Sequence, residues 1–321
     1  MCGILAYIGK ENFSSKKIRQ TLSLMKNRGP DNQKCLRLNF HKKKILLFHS
    51  RLKIIDLKNR SNQPFQKYNK ILIYNGEIYN FKELKKTLKN LGYNFYTNSD
   101  TEVLITAYEH YGINFTKKLN GMWAFLIYDI NKKKIIVSRD IFGEKPLYYY
   151  QSNKGIFFSS EIKYIRNLAK EKININFSKI KKNLEFGYKI LNTDNDTFFK
   201  KVYSFPKACI GDFGLSKGKL KIKKFWKPQI KKYKKLSYKN FCLKLKNIMI
   251  ESLEKRIISD VPLAVSLSGG IDSSIIAGLI KKKFNKKRLK CFSLIDKGEY
   301  DEDFYIKRTE KFLNIKTNKI N

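Results

Sequence analysis

At 321 residues the chain is long enough for two domains, each with its own core, and an apolar content of 42% excludes a disordered chain. No run approaches the roughly 18–20 apolar residues of a membrane span, and no basic segment followed by a long apolar one marks a signal peptide. The net charge of +41 invites a nucleic-acid reading, but lysine is spread along the whole chain beside abundant Asn and Ile, as an A/T-rich coding sequence produces, and no aromatic-interleaved basic motif occurs. Five cysteines (Cys2, Cys35, Cys209, Cys242, Cys291) lie far apart without a CxxC, and three histidines form no zinc pattern. A reducing cytosol fits that usage, and no resident metal is expected from it.

In chain order, Met1-Cys2-Gly3-Ile4 comes first. If Met1 is removed, Cys2 carries both a thiol and a free α-amine of pKa roughly 7.7–8.0. One residue then supplies the nucleophile and the base that its thiol needs. Residues 1–10 read as a strand, and Ile18, Leu22 and Met25 space a helix from Ser14 to Asn27. Arg28-Gly29-Pro30-Asp31 is a turn. Strands are expected at Ile45–His49, Lys53–Asp56 and Ile71–Tyr74, then helices at Phe81–Leu91, closed by Gly92, and at Thr101–Tyr111, capped by Ser99 and Asp100. Four strands follow, at Trp123–Tyr128, Ile135–Arg139, Leu147–Tyr150 and Ile156–Ser159. The expectation is a strand-rich α+β domain of two packed sheets over 1–205, with a linker over 206–235, where Pro, Gly and Lys punctuate the chain.

From Ser237 the pattern changes to a helix, an apolar strand Leu263–Leu267, a Gly turn, a helix from Ser273, a strand Leu289–Ile295 and a helix Asp301–Leu313. That βαβα order predicts a parallel sheet over 236–321, expected to show two strands, with a third only beginning at the end of the chain. Ser268-Gly269-Gly270-Ile271-Asp272-Ser273-Ser274 lies between strand and helix. Its glycines allow backbone N–H groups to approach an anion, and the helix N-terminus adds partial positive charge. No Lys follows in the place a kinase-type phosphate loop requires.

That string resembles the pyrophosphate loop of ATP-pyrophosphatases. The first half resembles class II glutamine amidotransferases, whose nucleophile is the N-terminal residue. The matching pieces, in order, are MCGI (1–4), RGPD (28–31), HSRLKIIDL (49–57), QPF (63–65), YNGEIYNF (74–81), SDTE (99–102), LNGMWAF (119–125), RDIFGEKPLYY (139–149) and SSEIK (159–163). Together with SGGIDSS the chain is similar to glutamine-hydrolysing asparagine synthetases of the bacterial type. The resemblance implies an α+β N-terminal-nucleophile glutaminase domain followed by an incomplete α/β ATP-pyrophosphatase domain, since synthetase domains of that family continue well beyond this length.

The resemblance also implies roles. Cys2 attacks the amide of glutamine, with the Asn75 side chain and the Gly76 N–H as the oxyanion hole. Arg51, Leu52, Lys53, Ile54, Ile55, Asn75, Gly76, Glu77 and Asp100 line the glutamine site, Arg51 offering its planar fork to the α-carboxylate and Asp100 its charge to the α-ammonium. Ser268, Gly269, Gly270, Asp272 and Ser273 hold the phosphates of ATP with Mg²⁺, while Leu267 and Leu294 contact adenine. Tyr300-Asp301-Glu302 matches a helix start. Pro206-Lys207-Ala208 departs from the family's Pro-Gly pair. The implied function is cytoplasmic asparagine synthesis from aspartate, ATP and glutamine. Alternatives are a related amidotransferase acting on another carboxylate or a surface-polysaccharide sugar, and a glutaminase alone. The implied partners are small molecules, with a homodimer or a separate C-terminal polypeptide left open and membrane or nucleic acid disfavoured.

Overall fold

A computed structural model describes residues 1–187, 194–229, 236–284, 289–295, 298 and 302–320. It divides into two compact units, Met1–Gln229 and Ile230–Asn321. In the first unit the strands are β1 (Gly3–Gly9), β2 (Asn32–Phe40), β3 (Lys43–Arg51), β4 (Phe65–Lys67), β5 (Lys70–Ile78), β6 (Gly121–Asp129), β7 (Lys134–Arg139), β8 (Tyr148–Ser152), β9 (Gly155–Ser159), β10 (Val202–Ser204), β11 (Cys209–Gly214) and β12 (Leu220–Lys224). The helices are α1 (Ser15–Met25), α2 (Phe81–Asn90), α3 (Asp100–Tyr111), α4 (Ile162–Leu168) and α5 (Phe177–Phe186).

The strands form two antiparallel six-stranded sheets, ordered β10-β8-β9-β1-β3-β2 and β12-β11-β7-β6-β5-β4. Alternation explains how they stack. Ile4, Ala6 and Ile8 of β1 and Ile45 and Leu47 of β3 share one core with Ile71 and Ile73 of β5 and Leu126 of β6. The intervening residues Leu5, Tyr7, Leu46 and Phe48 face the other way and pack on Ile18 and Met25 of α1 and on Tyr164 and Ile165 of α4. Strand β1 is therefore covered on both faces, which is why it reads as an unbroken apolar run and is buried at all seven positions. Helix α3 packs on β5 of the second sheet.

Two expectations fail in this unit. Lys53–Asp56 is not a strand, because β3 ends at Arg51 and the chain then forms an irregular loop. The stretch read as the start of a linker at 206 instead contributes β11 and β12, and β11 pairs with β7 from Cys209↔Arg139 to Gly214↔Lys134. The lysines that suggested a solvated connector lie on β12, an edge strand, where charge protects an open hydrogen-bonding edge. Residues 230–235 of that expected linker lie outside the described residues. Strand β2, not expected, is half-exposed and carries no clean alternation.

The second unit contains α6 (Tyr238–Arg256), β13 (Ala264–Ser266), α7 (Ile271–Lys283), β14 (Lys290–Leu294), α8 (Asp303–Leu313) and β15 (Thr317–Ile320). Its sheet is parallel with three strands, β13-β14-β15, one more than the two expected, since Thr317–Ile320 pairs with Cys291–Leu294. Helix α7 begins at Ile271, two residues before the expected Ser273. The Tyr300 and Asp301 of the expected helix start lie outside the described residues, and α8 runs from Asp303.

At the turn before β11, Ala208 is buried and takes φ +56°. Its N–H donates to Asp140 O (2.8 Å) and its carbonyl accepts from Phe225 N (2.9 Å), so the turn cannot relax without breaking both bonds. A side chain in the left-handed region costs about 1–2 kcal/mol, and the extra unfolded-state freedom of glycine returns about 0.4–1 kcal/mol of that. Ala208→Gly is therefore expected to raise stability by up to about 1.5 kcal/mol in denaturant titration. A lowered midpoint would mean that the Ala208 methyl contributes more packing than its backbone costs.

Candidate active site

Three strand ends converge where β1 begins, β3 stops and β5 approaches its last residues. The β1–β3 register places Gly3 opposite Ser50, so Cys2 falls beside the residues that follow β3. The Cys2 Sγ accepts from the Leu52 N–H at 3.4 Å, and the Cys2 carbonyl accepts from Arg28 Nε at 2.9 Å. Arg28 is braced by Glu161 at 3.2 Å. Burial pushes the Cys2 thiol up, opposed by the Leu52 hydrogen bond and by the positive charges of the N-terminus and Arg51. Burial lowers the Met1 α-amine against the pull of the Cys2 thiol, and the cations Arg28 and Lys145 lower it further.

A cavity of about 140 Å³ opens on Cys2. Of the residues expected from sequence, Cys2, Arg51, Leu52, Ile54, Ile55, Asn75, Gly76, Glu77 and Asp100 line it, and Lys53 does not. Lys53 turns away, its N–H donating to Asp31 Oδ2 (2.8 Å) and its ammonium to Asn59 Oδ1 (3.2 Å), so it anchors the Arg28–Asp31 turn.

Strand β5 supplies the opposite wall. Asn75 is 1% exposed, and its Nδ2 has no hydrogen-bond partner. A buried amide donor left unpaired costs about 1–3 kcal/mol, so its place on the cavity wall marks a position that an oxygen of a bound molecule would satisfy. Gly76 stands opposite Trp123 of β6. A Cβ there would lie 2.1 Å from Met122 O, so only glycine lets β5 approach β6 so closely. Asp100, at the start of α3, accepts from Tyr74 Oη (2.9 Å), Ile78 N (3.0 Å) and Ser99 Oγ (3.3 Å). Burial nevertheless raises its carboxyl above the ordinary range. Glu77 is raised by burial first and by Asp100 second. The two carboxylates share the cavity with the cations Arg51 and Lys145.

Arg51 departs from its expected role. Its Nη1 donates to Lys58 O (3.0 Å) and Asn62 Oδ1 (2.8 Å), and its Nη2 to Ile55 O (3.2 Å) and Asp56 O. All four terminal N–H groups are spent on the loop after β3. The planar fork is not free for a carboxylate, although the charge, largely buried, still faces the cavity.

Sequence reasoning did not assign Gln63, Tyr74, Ser99, Thr101, Met122 and Lys145, which also line the cavity. The signal was present, because each sits inside a matched string: Gln63 in QPF, Tyr74 in YNGEIYNF, Ser99 and Thr101 in SDTE, Met122 in LNGMWAF and Lys145 in RDIFGEKPLYY. Lys145 is held by its loop. Buried Asp140 accepts from the N–H groups of Trp123, Phe142, Glu144 and Lys145, at 3.2, 3.0, 2.9 and 3.0 Å.

In the second unit, the loop between β13 and α7 has the form expected. Gly269 takes φ +80°, and a Cβ there would meet Tyr305 Cβ at 2.8 Å and Ile306 N at 2.9 Å. Ser273 Oγ accepts from Ser268 N (3.2 Å) and donates to Gly270 O (3.1 Å), which closes the loop on itself. Helix α7 has no side-chain cap, so its first N–H groups face the loop, and Ser268, Gly270 and Asp272 are exposed. The backbone of Leu267 is engaged with β14 at both ends, its N–H donating to Phe292 O (2.8 Å) and its carbonyl accepting from Ser293 Oγ (2.6 Å). Leu294 is 74% exposed.

The family model described as a glutamine amidotransferase domain matches residues 1–226, and that described as asparagine synthase matches 244–321. A Methanocaldococcus jannaschii protein, provisionally named asparagine synthetase [glutamine-hydrolyzing] 2, is 34% identical over 96% of this chain and 62% of its own length. Asparagine synthetase [glutamine-hydrolyzing] 1 of Bacillus subtilis is 34% identical over 92% of this chain and 46% of its own. The chain thus spans about half to three-fifths of the length of these relatives. A solved structure titled as the allosteric regulatory enzyme of purine biosynthesis shares the fold, with a TM-score of 0.50 and 18% identity over 70% of this chain and 49% of that one.

The loop after β3 depends on a cation with four divergent donors, and lysine has three on one atom. Arg51→Lys is expected to destabilise the first unit by about 2–4 kcal/mol, the scale of a buried charge stripped of its hydrogen bonds. A variant within about 0.5 kcal/mol of the parent in chemical denaturation would show that the loop holds itself.

Proposed function

Because the chain belongs to the glutamine amidotransferase domain family over residues 1–226, we propose that its first unit hydrolyses glutamine with Cys2 as nucleophile. The observation that carries this reading is the unpartnered, buried Nδ2 of Asn75 in the same cavity as the Cys2 thiol and the Asp100 carboxylate. These are an oxyanion donor, a nucleophile and an ammonium acceptor within a space sized for a small molecule.

Once Met1 is removed, the α-amine of Cys2 takes the thiol proton and the thiolate attacks the side-chain amide carbon of glutamine. The new oxyanion accepts hydrogen bonds from Asn75 Nδ2 and the Gly76 N–H. The α-ammonium returns its proton to the leaving nitrogen, ammonia departs, and a glutamyl thioester remains. Water then attacks the thioester, glutamate leaves and the thiol re-forms. The Leu52 N–H at Sγ, with the charge of Arg51, offsets the burial that would otherwise keep the thiol protonated. Arg51 contributes charge to the α-carboxylate, while its fork holds the loop.

The second unit, matched by the asparagine synthase model, is proposed to bind ATP at Ser268–Ser273 and to use the ammonia to amidate a carboxylate, with aspartate giving asparagine, AMP and pyrophosphate. Asp272 supplies one exposed carboxylate at that loop, and Mg²⁺ binds through one or two carboxylates together with phosphate oxygens, so the residues present fit the ion. Bound with ATP, Mg²⁺ would neutralise phosphate charge. Among the described residues no helix is long and apolar enough to cross a membrane.

Cys2→Ala is expected to abolish glutamate release from glutamine while leaving unchanged any ammonia-dependent release of AMP, measured separately. Mass spectrometry of active protein should find Cys2 at the N-terminus, and retained Met1 would exclude the amine as base. Asn75→Ala is expected to lower kcat by about 10²–10³ with the fold intact, the usual effect of losing one oxyanion donor. A loss below fivefold would remove Asn75 from that role.

A further inference from the structure

Tyr74 lies on β5 immediately before Asn75, and three of its groups are fixed by three different elements. Its hydroxyl donates to Asp100 Oδ2 on α3 at 2.9 Å. Its N–H donates to Gln63 Oε1 at 2.7 Å. Its carbonyl accepts from His49 Nε2 on β3 at 3.1 Å, a bond from one sheet to the other. A carbonyl can only accept, so His49 carries its proton on Nε2. Burial pushes the His49 pKa down to about 3, so the ring is neutral in that bond at working pH.

These contacts close a ring. Gln63 Nε2 donates to Thr101 Oγ1 at 3.4 Å, and Thr101 follows Asp100 in the chain. The path Asp100–Tyr74–Gln63–Thr101 therefore returns to Asp100 through three hydrogen bonds and one peptide link. Asp100, Thr101 and Gln63 are each at most 5% exposed, and Tyr74 is 2% exposed. So little exposure places these bonds in surroundings of lower dielectric than water, where each is stronger than it would be at the surface. The peptide that joins Tyr74 to Asn75 is held in the same arrangement by His49. The Asp100 carboxylate and the Asn75 amide donor, both lining the cavity, are thus tied to one another through a single residue.

We propose that Tyr74 is a positioning residue that sets the Asp100 carboxylate relative to the Asn75 amide, so that an amino acid gripped by its α-ammonium presents its side-chain amide to the oxyanion donor. The inference rests on the glutaminase reading above and assigns part of its substrate selectivity to Tyr74. The hydroxyl matters only to a substrate that uses Asp100. An amide with the same carboxylate and chain but no α-amine, such as 4-carbamoylbutanoate, gains nothing from it.

The test compares Tyr74→Phe with the parent on glutamine and on 4-carbamoylbutanoate. The variant keeps the ring and both backbone bonds and removes only the hydroxyl. The expected result is a fall in kcat/KM for glutamine of about tenfold or more, the scale of one hydrogen bond to a charged group, shared between kcat and KM. The fall for 4-carbamoylbutanoate should be under twofold. Thr101→Val opens the ring at its other side and should show the same preference more weakly, which keeps the proposal testable if Tyr74→Phe folds poorly. Equal losses on both substrates would make Tyr74 merely structural and overturn the proposal, as would no loss on either. A parent protein that releases no glutamate would instead overturn the glutaminase reading, and this proposal with it.

Discussion

The register between β1 and β3 is the constraint on which the first unit depends. Both strands are sealed between the inter-sheet core and the layer of α1 and α4, and a slip of one residue would turn Ile4, Ala6 and Ile8 away from that core. With each buried isoleucine contributing about 1.5–3 kcal/mol, a slipped register would be far less stable. The consequence of the native register is chemical. Cys2, one residue before β1, is delivered to the Leu52 N–H, where the chain leaves β3.

The same end of the sandwich collects charge that its apolar layers would reject, and each charged group stays only because backbone partners hold it. Arg51 is neutralised largely by carbonyl dipoles, and Asp140 and Asp100 by N–H groups and hydroxyls. Loops that look irregular are in this sense built around buried ions, since the 52–62 segment wraps a guanidinium and the 140–145 segment a carboxylate. Removing a buried ion's partner is more damaging than replacing the pair, which ties the shape of the cavity to the integrity of both loops. Glu77 and Asp100 share a raised affinity for protons, set first by burial.

The second unit has a different economy of burial. Its core is a small cluster around Val265, Leu267, Ala277, Ile280 and Cys291, while Phe292, Leu294 and Ile320 on its strands and Phe304, Tyr305 and Phe312 on α8 remain exposed. Helix α6 has no buried residue at all among its nineteen. The geometry of the loop from Ser268 to Ser273 rests on the close approach of Gly269 to Tyr305 and Ile306 of α8 and on the Ser268–Ser273 contacts within the loop itself.

By itself the sequence determined what depends on local pattern or on unusual residues. Strand β1, the helix from Ser14, the helix capped by Ser99, the glycine loop before α7 and the part of the cavity lining that includes Cys2, Asn75, Gly76, Glu77 and Asp100 were legible. Period, caps and short strings of chemistry-bearing residues are properties of neighbours along the chain. The tertiary structure decided what depends on distant partners. Residues 209–214 became a strand because β7 offered them an edge, and 220–224 then paired with that strand, which no pattern of lysines and glycines announces. Thr317–Ile320 became a third parallel strand by pairing with β14. Arg51 looked like a ligand's clamp in sequence, yet its donors go to carbonyls of the loop that folds around it, and Lys53 in the same string faces away. Tyr74 carried no sign of linking Asp100 to Asn75, because that link exists only where β5, β3 and α3 meet, and hydrogen bonds across 26 residues are set by packing rather than by spacing.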